Sequence, residues 1–162
     1  MDILQKQYAL LQSSRGVVFD FLQTQIGDDL MNTPVPAYDN KTIRYLLEHI
    51  ASCHFNWLAY FALQQPSGSL NEEGFTTTKL IRQLYGQVDD TMAVFLENFK
   101  DKMEVPINGI HSACGQVSAT PLQVFTHVLT HEFHHKGQIL SMCRLLGHIP
   151  PDTDISCFFQ SW

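Results

Sequence analysis

TPLQVFTHVLTHEFHHKGQILSMCRLLG, residues 120–147, reads as one helix with both ends marked. Thr120 stands at the N-cap, Pro121 at the first helical position and Gln123 at the third, a capping box that begins on a residue with no N–H to satisfy. Gly147 follows Leu146 where a helix closes on a left-handed residue, and Pro150-Pro151 prevents resumption. Inside this helix lie four of the chain's eight histidines, His127, His131, His134 and His135. Neutral imidazole is the commonest protein ligand for borderline metals, and residues four apart share a helix face. The stretch therefore predicts both a long helix and a metal.

Outward from it, three more segments carry helical periodicity. Residues 2–26 place Ile3, Leu10, Val17, Val18, Phe21 and Leu22 on a stripe. Residues 41–64 do so with Ile43, Leu46, Leu47, Ile50, Trp57 and Phe61, and residues 78–99 with Ile81, Leu84, Val88, Met92, Phe95 and Phe99. Asn-Thr-Pro-Val-Pro at 32–36 breaks the first pair, because proline removes a donor and clashes with the preceding turn. Gln-Pro-Ser-Gly-Ser at 65–69 is a turn-rich linker. Residues 101–119 hold Pro106, Gly109 and Gly115 and read as a long irregular loop of the kind that often covers a site. No strand alternation competes. The expected fold is all-α: an antiparallel four-helix bundle, a single domain over residues 1–162, with a long loop between helices 3 and 4 and a short C-terminal tail. In that tail Phe158, Phe159 and Trp162 need a surface to cover, either the bundle or a second subunit in a homodimer.

Composition narrows the function. The chain has 162 residues, 44% hydrophobic and 16% charged, with a formal charge of −6 and no basic stripe. Nucleic acid and anionic membrane are poor partners for such a surface, and a small molecule is the better one. No stretch approaches the roughly 20 apolar residues of a membrane helix, and the N-terminus lacks the order of a signal peptide. Cys53, Cys114, Cys143 and Cys157 have no CxxC spacing. They read as reduced thiols in a cytoplasmic protein.

Helix geometry restricts the ligands without choosing them. Val124, His131 and Gln138 recur every seven residues, as do His135 and Met142, so the apolar stripe runs into the histidines and places them at a core or a cleft. His127/His131 and His131/His135 are both i, i+4 pairs, and His131/His134 is i, i+3. His127 and His135 are about 12 Å apart along the axis, too far to share an ion on a regular helix. A pair falls short of the three ligands of a catalytic zinc, so another helix must contribute. His49 is the natural candidate, Cys53 one turn on could also reach, and His54 sits off the His49 stripe.

Other features take plainer readings. His111 and His148 are expected at surface or capping positions, Glu132 and Lys136 as an i, i+4 surface pair, and Trp57 in the core. His131-Glu-Phe-His-His135 is formally the H-E-x-x-H pattern of metallopeptidases. Glycine at 137 and serine at 141 do not continue the longer form, and no later helix supplies a glutamate ligand, so peptidase is rejected.

Leu-Glu-His49-Ile in the second helix, the His127-to-Ile139 block with its His-Lys-Gly-Gln, and the closing Leu-Leu-Gly147-His-Ile-Pro-Pro151 together resemble the DinB/YfiT-like family of metal-dependent proteins. The resemblance spans nearly the whole chain and implies a four-helix bundle. It implies a divalent transition metal, zinc or nickel, held by His49, His131 and His135. His127, His134, Gln138 and Cys53 would then lie around that site, with Gly137 allowing close helix approach. Lys136 stands where the family has arginine, which keeps the charge and loses the fork of donors. Family members of known activity act with a low-molecular-weight thiol, as S-transferases or isomerases. The expected function is thus a metal-dependent transferase. Its rival is a non-catalytic metal-binding or interaction protein whose site is closed by a fourth ligand such as Cys53.

Overall fold

Thr42, Thr77 and Thr120 each accept a backbone N–H from three residues on, at Tyr45 (3.0 Å), Leu80 (3.2 Å) and Gln123 (3.2 Å). Each cap starts one of the long helices. The computed structural model describes residues 3–66, 74–111 and 114–159. Helix α1 (Ile3–Phe21) passes through a π-helical turn, Leu22–Ile26, into the short α2 (Gly27–Met31). Helix α3 (Ile43–His54) continues as a π-helical segment, Phe55–Ala62. Helix α4 spans Thr78–Phe99 and α5 spans Pro121–Leu145. Both ends of α5 follow the sequence. The capping box is present, Gly147 adopts φ +88°, and the His148 and Gly147 N–H groups bond the carbonyls of Cys143 and Arg144.

Core packing fixes the helix directions. One layer joins residues 18–31, 43–51, 81–88 and 139–143. The next joins Tyr8 and Leu11 with residues in 53–62, 92–99 and 124–128. The late part of α1 is therefore level with the early parts of α3 and α4 and the late part of α5. Helices α1 and α5 run one way, α3 and α4 the other, giving an all-α bundle of two mutually antiparallel pairs. Parallel α3 and α4 require a connection that travels back along the bundle. Near its end, the Phe75 N–H donates to Glu48 Oε1 at 2.9 Å, beside the first half of α3.

The stretch expected as an irregular loop contains a hairpin. Strand β1 (Ile107–His111) pairs antiparallel with β2 (Gly115–Ala119). The burial alternates along β1, but with glycine and asparagine at two of its five positions the apolar signal is too weak to read from sequence. Gly109 makes the packing feasible: a Cβ there would lie 3.3 Å from the Phe61 ring. Gly137, by contrast, has nothing within 4 Å of a built Cβ, so it does not serve a close helix approach. In the tail, Ile155–Phe158 form a 3-10 turn, and Phe159 is exposed. Trp162, Asp2 and residues 67–69 of the linker lie outside the described residues. Among the described residues no helix is long and apolar enough to cross a membrane.

Candidate metal centre

The antiparallel run of α3 against α5 brings two histidine-bearing faces into register. His49, at the edge of the buried face of α3 that carries Leu46, Ile50 and Cys53, meets His131 and His135 with ring centroids 5.0 and 4.8 Å away. The His131 and His135 rings are 4.4 Å apart. One ligand nitrogen from each of the three lies within 4.8 Å of the other two, and among the described residues no other histidine, cysteine or carboxylate group forms such a cluster. His49 is exposed and the other two are half-buried, so the cluster is open to solvent.

Electrostatics keep these rings neutral. Burial, and then the charges of His135, His49, His127 and His54, push His131 down to about 4. His49 and His135 are lowered too, chiefly by burial. Near pH 7 all three offer lone pairs. The Gln138 carboxamide oxygen, one helical turn on, accepts from His135 Nδ1 at 2.7 Å. That bond holds the proton on Nδ1 and leaves Nε2 free to coordinate. His131 Nδ1 is buried with no hydrogen-bond partner. Three converging neutral imidazoles, one with its tautomer set and one with an unmet nitrogen, fit a divalent transition ion.

The family model for the DinB family matches residues 2–161. The chain belongs to the DinB family. Protein DinB of Bacillus subtilis (strain 168) is similar to it, 22% identical over 147 residues that cover 83% of this chain and 85% of that protein.

The remaining histidines of this DinB-family chain take other places. His127 and His134 are both exposed beside the cluster, their rings 5.7 Å from His131 and 4.9 Å from His135. Cys53 Sγ contacts His127 Nε2 at 3.6 Å and does not join the cluster, and burial pushes its thiol up to about 12. His111 is buried rather than superficial. It stacks on Trp57 at 4.2 Å, and Trp57 also meets the His127 ring at 5.1 Å.

Glu132 departs furthest from its sequence reading. It is 3% exposed, not a surface residue. Arg15 of α1 grips both its oxygens, Nε to Oε1 at 2.7 Å and Nη2 to Oε2 at 3.0 Å, and the fully buried His54 adds Nε2 to Oε2 at 3.0 Å. Arg15 also donates to Asp89, which accepts from the Tyr8 hydroxyl. With both oxygens engaged, Glu132 is unavailable as the general base that H-E-x-x-H would need. Lys136 is half-buried: its Nζ donates to Ser14 Oγ at 2.6 Å and to the Thr153 carbonyl at 2.9 Å, tying α5 to α1 and the tail. One sequence signal for this network was present, namely Arg15 on the same stripe as Tyr8, Leu11 and Val18. A charge on a buried face needs a buried partner.

Proposed function

We propose that this DinB-family protein binds one divalent transition metal, zinc or nickel, through His49, His131 and His135, and acts as a metal-dependent transferase with a low-molecular-weight thiol. The observation that carries this reading is the convergence of three neutral imidazoles from two helices within 4.8 Å. Exposure of His49 favours a position left open to a small molecule over a closed structural site. The placement of Cys53 against His127 further weakens the closed-site reading, since Cys53 was its fourth ligand.

When bound, the ion would stabilise the thiolate form of a thiol near neutral pH and act as a Lewis acid. The residues supply the rest. His131 and His135 hold their donors on α5, and His49 faces them from α3. Gln138 keeps the His135 proton away from the coordinating nitrogen. In the transfer, the thiol loses its proton to solvent, its sulfur forms a bond to an electrophilic carbon, and the leaving group departs with the electron pair of the bond that breaks.

Metal analysis of tag-free protein, followed by thiol consumption with a panel of electrophiles, tests the reading. The expected result is one ion per chain and turnover that ceases on chelation. Full metal loading without turnover for any thiol would leave a metal-binding protein and remove the transferase.

A further inference from the structure

The histidine cluster has two chemically different flanks. On the side of Trp57 and His127 it is aromatic. On the other, the Tyr45 ring lies parallel to His49, interplanar angle 1° with centroids 6.3 Å apart, and Lys41 Nζ sits 5.5 Å from the centre of the Tyr45 ring. Lys41 stands just before Thr42, the N-cap of α3, and Tyr45 and His49 are one turn apart on the helix, so the ammonium, the phenol and the imidazole form a row leading into the histidine cluster.

The lysine is held at its root by the backbone and rests its tip on the Tyr45 ring. Its backbone N–H donates to the Tyr38 carbonyl at 2.9 Å, and its carbonyl accepts from Val35 at 3.0 Å. Asp39 and Asn40, both left-handed at φ 54° and 59°, make the turn that delivers it. Lys41 makes no ion pair with any described residue. In a chain with net charge −6, a cation beside the cluster that pairs with no described carboxylate is a selective feature.

We propose that Lys41 is a specificity-determining residue that anchors an anionic group, such as a carboxylate, of the small molecule bound at the histidine cluster. The inference rests on the metal-and-thiol reading above and adds the class of thiol: one that carries a negative charge away from its sulfur. Tyr45 braces the lysine through its ring face and stacks on His49, so the anion is placed on the side of the cluster away from Trp57.

The test uses whole protein loaded with cobalt(II), whose thiolate charge-transfer absorption reports binding without turnover. Dissociation constants are measured for 3-mercaptopropionate and 2-mercaptoethanol, and their ratio is compared between the wild type and K41Q so that intrinsic differences between the thiols cancel. Preference for the anionic thiol should fall about three- to fivefold in K41Q, the scale of an exposed charge pair. It should survive in K41R, shrink at about 0.5 M salt, and leave cobalt stoichiometry unchanged. An unchanged ratio in K41Q with full cobalt loading overturns the anchor and leaves the metal site standing. Full loading with no spectral response to either thiol sinks the thiol function and the anchor with it.

Discussion

Arg15 and Glu132 form a two-point pair across the α1–α5 interface, both of them buried, with Nε to Oε1 at 2.7 Å and Nη2 to Oε2 at 3.0 Å. Glu132 precedes the cluster's His135 by three residues and follows His131 directly. Whatever holds its carboxylate inward also sets the rotation of α5 that turns those two imidazoles toward α3. Breaking a buried pair from one side strands a charge. Glu132→Ala should therefore lose about 3–5 kcal/mol in guanidinium unfolding. Replacing both partners by apolar residues, as in Arg15→Met with Glu132→Leu, should recover much of that loss. A Glu132→Ala variant as stable as the wild type would mean that the pair is dispensable.

Two pH windows follow for the metal-free protein. Burial lowers His49, His111, His127, His131 and His135, with His131 moved from 6.5 to about 4. Between those limits the unfolded chain takes up protons that the fold resists, so stability falls as the pH drops from about 6.5 toward 4. Glu132 acts lower. Burial would raise it, but the Arg15 charge and the hydrogen bonds of His54 and Arg15 prevail and hold it at about 2. Its contribution is complete above 4.5, its ordinary value, and is lost as the pH falls toward 2. Urea midpoints measured against pH check both. His131→Ala should flatten the upper window, and Glu132→Gln the lower.

Gln138 offers a way to separate orientation from ligation. Its oxygen sets the His135 tautomer from outside the cluster. Gln138→Leu should weaken metal affinity about 10- to 100-fold, while one ion per chain still binds at saturation. Calorimetric titration with zinc reads both quantities. His127→Ala and Cys53→Ser should leave the stoichiometry alone, because neither residue joins the three nitrogens.

The ends of α5 supply a prediction independent of metal. Thr120 and Gln123 satisfy each other's backbone donors, at 3.2 and 2.8 Å. Thr120→Ala should cost about 1 kcal/mol in thermal or chemical unfolding, and Gly147→Ala about 1 kcal/mol for its left-handed φ.

What could be read from the sequence follows from the range of each signal. The extent of α4 matched its predicted residues, 78–99, and α5 came within one residue, because caps, prolines and apolar repeats act over three or four positions. The convergence of His49 with His131 and His135 was not available from spacing alone, since it depends on α3 running against α5. Ligand counting makes His49 the natural candidate from another helix, and the family resemblance selects the set of three. The hairpin at 107–119 escaped because its strands carry little apolar alternation. The burial of Glu132 and His111 and the half-burial of Lys136 are not legible locally, because each depends on a partner elsewhere in the chain: Arg15 for Glu132, the Thr153 carbonyl for Lys136, the Trp57 ring for His111. Gly137 shows the opposite error, a glycine given a packing role where the space around it is open.

The claim beneath all of this is that one cation sits between α3 and α5. The direct measurement is zinc stoichiometry and affinity by equilibrium titration of tag-free, metal-stripped protein, compared with His49→Ala, His131→Ala and His135→Ala, each checked for helical content. The account predicts one tight site per chain in the wild type and its loss or severe weakening in every one of the three variants. Undiminished stoichiometric binding by folded His131→Ala would contradict it.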